Sequence, residues 1–129
     1  MLDHVSIAVG DQSRAERFYD AVFATLDIVK VGSEPGWVGY GARASAERPG
    51  NSYLSLRSGY EPSGCDGRHW CFKAPSHASV RAFWTAGLAA GGKDDGMPGL
   101  RPHYHEHYYA AFLIDPDGNR IEAVCHKPE

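Results

Sequence analysis

The 129-residue sequence is short of several things, and each shortage removes a class of function. No apolar run approaches the roughly 20 residues of a membrane-spanning helix, so no membrane partner is expected. Cysteine is scarce: the 3 present, Cys65, Cys71 and Cys125, cannot all pair and show no Cys-x-x-Cys spacing, which fits a reducing cytoplasm. Neither sign of charge dominates, with 13 Lys and Arg against 16 Asp and Glu, so nucleic acid is not an expected partner. Met1 leads straight into a strand-like segment rather than a signal peptide, and a cytoplasmic location is expected. What remains is the composition of one soluble domain, long enough for a real core, with 43% hydrophobic and 22% charged residues. Its 7 histidines are more than such a domain needs, and they cluster.

Residues 2–9 alternate, with Val5, Ile7 and Val9 on one face and His4, Ser6 and Ala8 on the other, the pattern of a strand with one apolar face. Asp11 or Ser13 is placed to cap a helix whose stripe is Ala15, Phe18, Tyr19, Val22, Phe23 and Leu26. Short strands are expected at Ile28–Val31, Trp37–Tyr40 and Ser52–Arg57. After a Gly/Ser/Pro stretch the pattern restarts. A forward shift of 65 positions takes His4 to His69, Ser6 to Cys71, Asp11 to Ser76 and Phe18 to Phe83 without a gap. The second half then runs through a helix capped by Ser76, a weak strand near Lys93, a loop from Gly96 to Glu106 and a hairpin. The hairpin is turned by Asp115-Pro116-Asp117-Gly118 between Tyr108–Ile114 and Arg120–Cys125.

The expected fold is therefore α+β: two β-α-β-β-β modules, each curling a mixed sheet around a cavity. Module 1 is 1–57, the linker 58–67 and module 2 68–126, within a single domain over 1–129. In each first strand the larger apolar residues face the helix, which leaves His4 and His69 on the opposite face. Glu122 lies opposite Ile121 and Ala123 and faces the same way. Two imidazoles and a carboxylate form a ligand set for a divalent metal with a position left open, and Ser55 occupies the fourth matching place. The alternative is a solvated strand face without metal. Tyr53, Arg57 and Cys71 share that face as candidate substrate contacts. Arg101, His103, His105 and Tyr109 are further candidates, in or beside a loop that is either solvated surface or a lid. His77 and His126 look like a helix-start and a tail residue without function.

The segments DHVSIAV, FYDAVFATL, RHWCFKA and AFLIDPDGNRIEAV, in this order, resemble the vicinal oxygen chelate superfamily of glyoxalase I, bleomycin-resistance proteins, fosfomycin-resistance thiol transferases and extradiol dioxygenases. The segment from Leu100 to Tyr109 is similar to a bacterial glyoxalase-like branch. The resemblance implies metal ligands on the first and last strand of each module, matching His4, Ser55, His69 and Glu122. It also implies a small-molecule substrate and a divalent ion such as zinc, nickel, manganese or iron. Where glyoxalase I carries a ligand Glu tied to proton transfer, this chain has Ser55, which argues against glyoxalase I activity proper. The expected function is thus a glyoxalase-like metal-dependent enzyme on a small oxygenated molecule, of lyase/isomerase, thiol transferase or dioxygenase type. The alternative is a non-catalytic binding or drug-sequestration protein of the bleomycin-resistance type. The loose linker, free sheet edges and an aromatic surface around Trp37 and Tyr40 point to a homodimer. Its site would take His4 from one chain and His69 with Glu122 from the other, the alternative being a site formed by the same ligands within one chain.

Overall fold

Alternation between apolar and small residues builds β1 (His4–Ala8), the first of eight strands in a computed structural model that describes residues 1–62, 64 and 66–129. Cys65 and part of the expected linker lie outside the described residues. The Asp11 side chain accepts the Arg14 amide at 2.8 Å and starts α1 (Gln12–Ala24), so Asp11 rather than Ser13 is the cap. Three strands follow, β2 (Lys30–Glu34), β3 (Trp37–Gly41) and β4 (Tyr53–Arg57). The second half repeats the order with β5 (Trp70–Lys73), α2 (His77–Ala89), β6 (Lys93–Leu100), β7 (Tyr109–Ile114) and β8 (Arg120–Cys125). Each half closes a four-stranded sheet, ordered β1-β4-β3-β2 and β5-β8-β7-β6. The first strand pairs parallel with the last in each, and the remaining pairs are antiparallel.

The helices cover one face of these sheets. Phe18, Tyr19, Val22 and Phe23 of α1 and Val80 and Phe83 of α2 are buried in one core with Ile7, Val38, Leu54, Leu56, Leu113, Ile121 and Ala123. Each large side chain removed from water there stabilises the fold by about 2 kcal/mol. Two strands differ from the alternation reading. Asp27 takes φ 58° after α1 and Ile28 packs against the core, so β2 starts two residues later than expected. β6 continues to Leu100 through irregular register at Gly96 and Gly99, so the expected loop from Gly96 shrinks to residues 101–108. Tyr40, expected on an exposed aromatic surface, is buried against Phe23 and donates to Asp20 at 2.8 Å.

The two halves are joined by the turn between β7 and β8. Asp115 is 3% exposed, and its carboxylate accepts four hydrogen bonds. The amides of Asp117 and Asn119 reach Oδ1, and the Asn119 side chain and the Tyr19 hydroxyl of α1 reach Oδ2. Asn119 also donates to the Ala8 carbonyl at the end of β1, and Asp117 accepts the Gly10 amide and the Arg14 guanidinium. The DPDGN segment is therefore both a turn and the clamp between modules. Burial pushes the Asp115 carboxyl up from the ordinary carboxylate range, while its hydrogen bonds pull it down. Because the folded pKa is raised, the folded chain holds this proton more tightly than the unfolded one. Its contribution to stability is greatest below the ordinary carboxylate value and falls as pH rises through the raised one.

Asp115→Asn turns one acceptor into a donor that faces other donors, and is expected to cost about 2–4 kcal/mol. Tyr19→Phe, which removes one donor, should cost about 1–2 kcal/mol. Urea unfolding measures both; an Asp115→Asn midpoint equal to that of the parent would show that Asp115 does not clamp the modules.

Candidate metal and substrate site

The sheet faces turned away from the helices carry the polar residues, because a strand's side chains alternate and the apolar set is fixed inward. In the second sheet the pairing of Cys71 with Glu122, and of Phe112 with Glu122, puts these three side chains in one row. His69, just ahead of β5, points its Nε2 at Glu122 Oε2 across 3.2 Å. The Tyr108 hydroxyl donates to Oε1 at 2.6 Å. The Glu122 side chain is only 2% exposed, whereas His69 is 45% exposed. A carboxylate so withdrawn from water needs a partner on each oxygen, and it has one.

Cys71 lies in the same row. As a residue it is exposed, yet burial around the sulfur, then the Glu122 charge, push its thiol up to about 12. The thiol is therefore protonated at neutral pH and a poor nucleophile. Burial and the Glu122 hydrogen bond raise Tyr108 as well, which keeps its hydroxyl a donor.

In the first sheet His4, Tyr53, Ser6 and Ser55 share the corresponding face. His4 Nδ1 sits 2.6 Å from Asp3 Oδ1 and the ring stacks on Tyr53 at 5.1 Å, with the side chain 52% exposed. Its Nδ1 being engaged, Nε2 is the nitrogen left for a ligand role. Ser55 is buried and exchanges a hydrogen bond with Ser6 at 2.8 Å, which spends its hydroxyl inside the sheet.

The chain thus brings His69, Glu122 and Cys71 together with Tyr108, and keeps His4 with Asp3 and Tyr53. Among the described residues, though, no three His, Cys, Asp or Glu side chains are arranged so that they could hold a metal ion. A cavity of about 440 Å³ opens between β1 and β5, with His4 and Cys71 in its lining beside Val5, Phe23, Trp70 and Phe72. Neither His69 nor Glu122 lines it.

The remaining candidates divide. Arg57 is exposed at the end of β4. Arg101 donates to the Met97 and Leu100 carbonyls and lies over Phe112. His103 packs at a tilt against Tyr104, which packs on Tyr108, so the 101–108 loop is an aromatic cluster. His105 Nε2 is 2.8 Å from His126 Nδ1 and the ring stacks on it, giving His126 a role in holding that loop. Tyr109 points the other way: it stacks on His77 at 4.0 Å, under the Arg81 guanidinium, and does not share the Glu122 face. Strand parity decides this, since Tyr109 stands opposite Cys125 and Glu122 opposite Phe112. His77 is buried by that stack and by a bond to the Lys127 carbonyl, so it is a packing residue. The sequence reading missed Tyr108 as the Glu122 partner, although its place three residues after His105 in the hairpin loop was visible.

The chain matches the glyoxalase/bleomycin resistance protein/dioxygenase superfamily over residues 1–123. A glyoxalase/bleomycin resistance protein from Albidiferax ferrireducens is 30% identical, aligns over 99% of both chains and superposes with a TM-score of 0.82. A fosfomycin resistance protein from Mesorhizobium loti, FosX, shares the fold at 17% identity, over 97% of this chain and 91% of its own, with a TM-score of 0.67. A glyoxalase I mutant from Zea mays matches at 22% identity with a TM-score of 0.64, 97% of this chain covering 46% of that longer one. No curated protein matches the chain.

The Cys71 environment gives a direct test. With any metal chelated, Cys71 should alkylate far more slowly than a free thiol at about pH 8, and Glu122→Gln should speed it several-fold by removing the nearby charge. Peptide mass spectrometry reads each cysteine separately; equal Cys71 rates in parent and variant would show that Glu122 does not act on the thiol.

Proposed function

The chain belongs to the glyoxalase/bleomycin resistance protein/dioxygenase superfamily, and from that premise we propose that it is a metal-dependent enzyme acting on a small oxygenated molecule. Its site would be completed between two copies of the chain. The observation that carries this reading is the His69–Glu122 pair: an imidazole nitrogen 3.2 Å from the oxygen of a carboxylate that is 2% exposed. A neutral imidazole and a hydrogen-bonded carboxylate suit a borderline divalent ion such as zinc, nickel, manganese or iron. Two ligands do not hold one, and the third is assigned to His4 of the second copy. His4 fits that role because Asp3 engages its Nδ1 and leaves Nε2 as the nitrogen for an ion. Exposed Met1, Leu2, Val29 and Val31 supply apolar surface for a partner to cover.

A bound divalent ion would supply Lewis-acid stabilisation of negative charge developing on a chelated substrate oxygen. The chain's own groups do the rest. Tyr108 fixes Glu122 through Oε1 and leaves Oε2 directed at His69. The Cys71 thiol, held protonated, borders the site without competing as a base. Ser55, bonded to Ser6, takes no part as an acid or base, which separates this site from one that uses a carboxylate there. The second reading, a binding or sequestration protein on the same faces, is favoured by the two-ligand set of the single chain.

Protein purified without added metal should carry close to one divalent ion per chain, lose it on His4→Ala or Glu122→Gln, and keep it on Ser55→Ala. Affinity should fall as pH drops, because protons compete for the imidazoles. Mixing His4→Ala with Glu122→Gln chains should restore part of the metal, since a mixed dimer holds one intact site. Subunit exchange with no metal recovered would defeat the shared site, and an empty parent protein would favour the binding reading.

A further inference from the structure

The polar face of the first sheet carries an arrangement that metal binding alone does not need. The Trp37 indole lies flat across β2 and β3, over two residues without side chains. A Cβ on Gly39 would come within 2.5 Å of the ring, and one on Gly32 within 2.9 Å. Above this indole stands Arg43, its guanidinium carbon 5.1 Å from the Trp37 ring centre and 5.3 Å from that of Tyr53. Tyr53 in turn stacks on His4 at 5.1 Å and an interplanar angle of 20°. Trp37, Arg43, Tyr53 and His4 therefore form one continuous row, with Arg57 beside Trp37 on the next strand.

The charge in this row is unbalanced. Arg14, Lys30, Arg81 and Arg120 each face a carboxylate, whereas among the described residues no carboxylate lies within ion-pair distance of Arg43 or Arg57. Ring faces hold a guanidinium in place through its plane and leave its edge N–H groups to receive a planar anion two at a time. With the faces of Trp37 and Tyr53 taken up within the row, their ring edges are left as apolar contact for a conjugated group in edge-to-face geometry.

We propose that Trp37, Arg43 and Tyr53 form the substrate-recognition wall, and that the substrate is a small conjugated carboxylate of the aryl-carboxylate kind. Its carboxylate takes the edge of Arg43, its ring lies along Tyr53, and its far end, which bears the oxygen function, reaches His4. The assignment of the far end rests on His4 being a metal ligand; the anion and ring assignments do not.

The test uses the metal-free full chain and the ¹⁵N resonances of the Trp37 indole and the Arg43 Nε, titrated with benzoate, with benzamide as the neutral isostere and with inorganic phosphate. Benzoate should shift both signals saturably, and benzamide and phosphate should each bind about tenfold more weakly. Arg43→Gln should weaken benzoate about tenfold or more, Trp37→Leu should weaken it several-fold, and Arg43→Lys should recover only part of the loss. Arg43 is exposed, so its replacement leaves the core untouched. The proposal fails if benzoate leaves both signals unmoved, if Arg43→Gln binds within about twofold of the parent, or if phosphate binds as well as benzoate. Metal content of the same variants keeps the two readings apart. Benzoate binding through Arg43 in a chain that never takes up metal sinks the metal site and keeps the wall, and retained metal without benzoate binding sinks the wall alone.

Discussion

A single buried carboxylate sets how the two halves of this protein meet. Asp115 gathers four donors from the β7–β8 turn and from α1, and its neighbours Asp117 and Asn119 reach Gly10, Arg14 and the end of β1. Each bond is modest in net terms, but leaving any one donor unmade in this buried place would cost more than the bond contributes. The cluster therefore admits one relative placement of the modules. That placement leaves β1 and β5 at the edges of separate sheets, with a cavity rather than a ladder between them. His69 and Glu122 meet within the second sheet through the β5–β8 pairing, while His4 lies on the first sheet with Asp3.

The two polar faces are built alike and charged differently. Ser55 and Glu122 stand at matching places, opposite Ser6 and Cys71 on their parallel neighbours. In the first sheet the pair is two hydroxyls bonded to each other and nothing charged is buried. In the second a carboxylate is buried, at a desolvation cost met by Tyr108 and His69. Its neighbour feels the charge too, since burial first and then the Glu122 carboxylate raise the Cys71 thiol. Aromatic rings under guanidinium groups recur on both faces. Phe112 lies beneath Arg101 and Arg120 in the second sheet, as Trp37 lies beneath Arg43 in the first. In the second, Arg120 is neutralised by Asp95 and Arg101 donates to the Met97 and Leu100 carbonyls, whereas Arg43 lies between two rings.

By itself the sequence determined what local chemistry controls. Period-two and helical patterning gave two β-α-β-β-β halves, because apolar side chains on one face of a strand or one stripe of a helix have a single way to leave water together. Ser76 was legible as a cap for the same local reason, Asp11 only as one of two candidates beside Ser13, and strand parity was enough to put Glu122 on the face away from the helices. Tertiary structure alone decided the rest. That DPDGN clamps two modules depends on Tyr19, which lies 96 positions away from Asp115. That Tyr108 serves Glu122, and that Tyr109 does not, depends on where a hairpin loop ends, a matter of one residue that flips the side chain to the other face. The flat lie of Trp37 over Gly39 and Gly32, with Arg43 above it, joins residues from two strands and a loop. No spacing in the chain encodes such contacts, because they arise when separate elements pack and their distances are set by neighbours in space rather than in sequence.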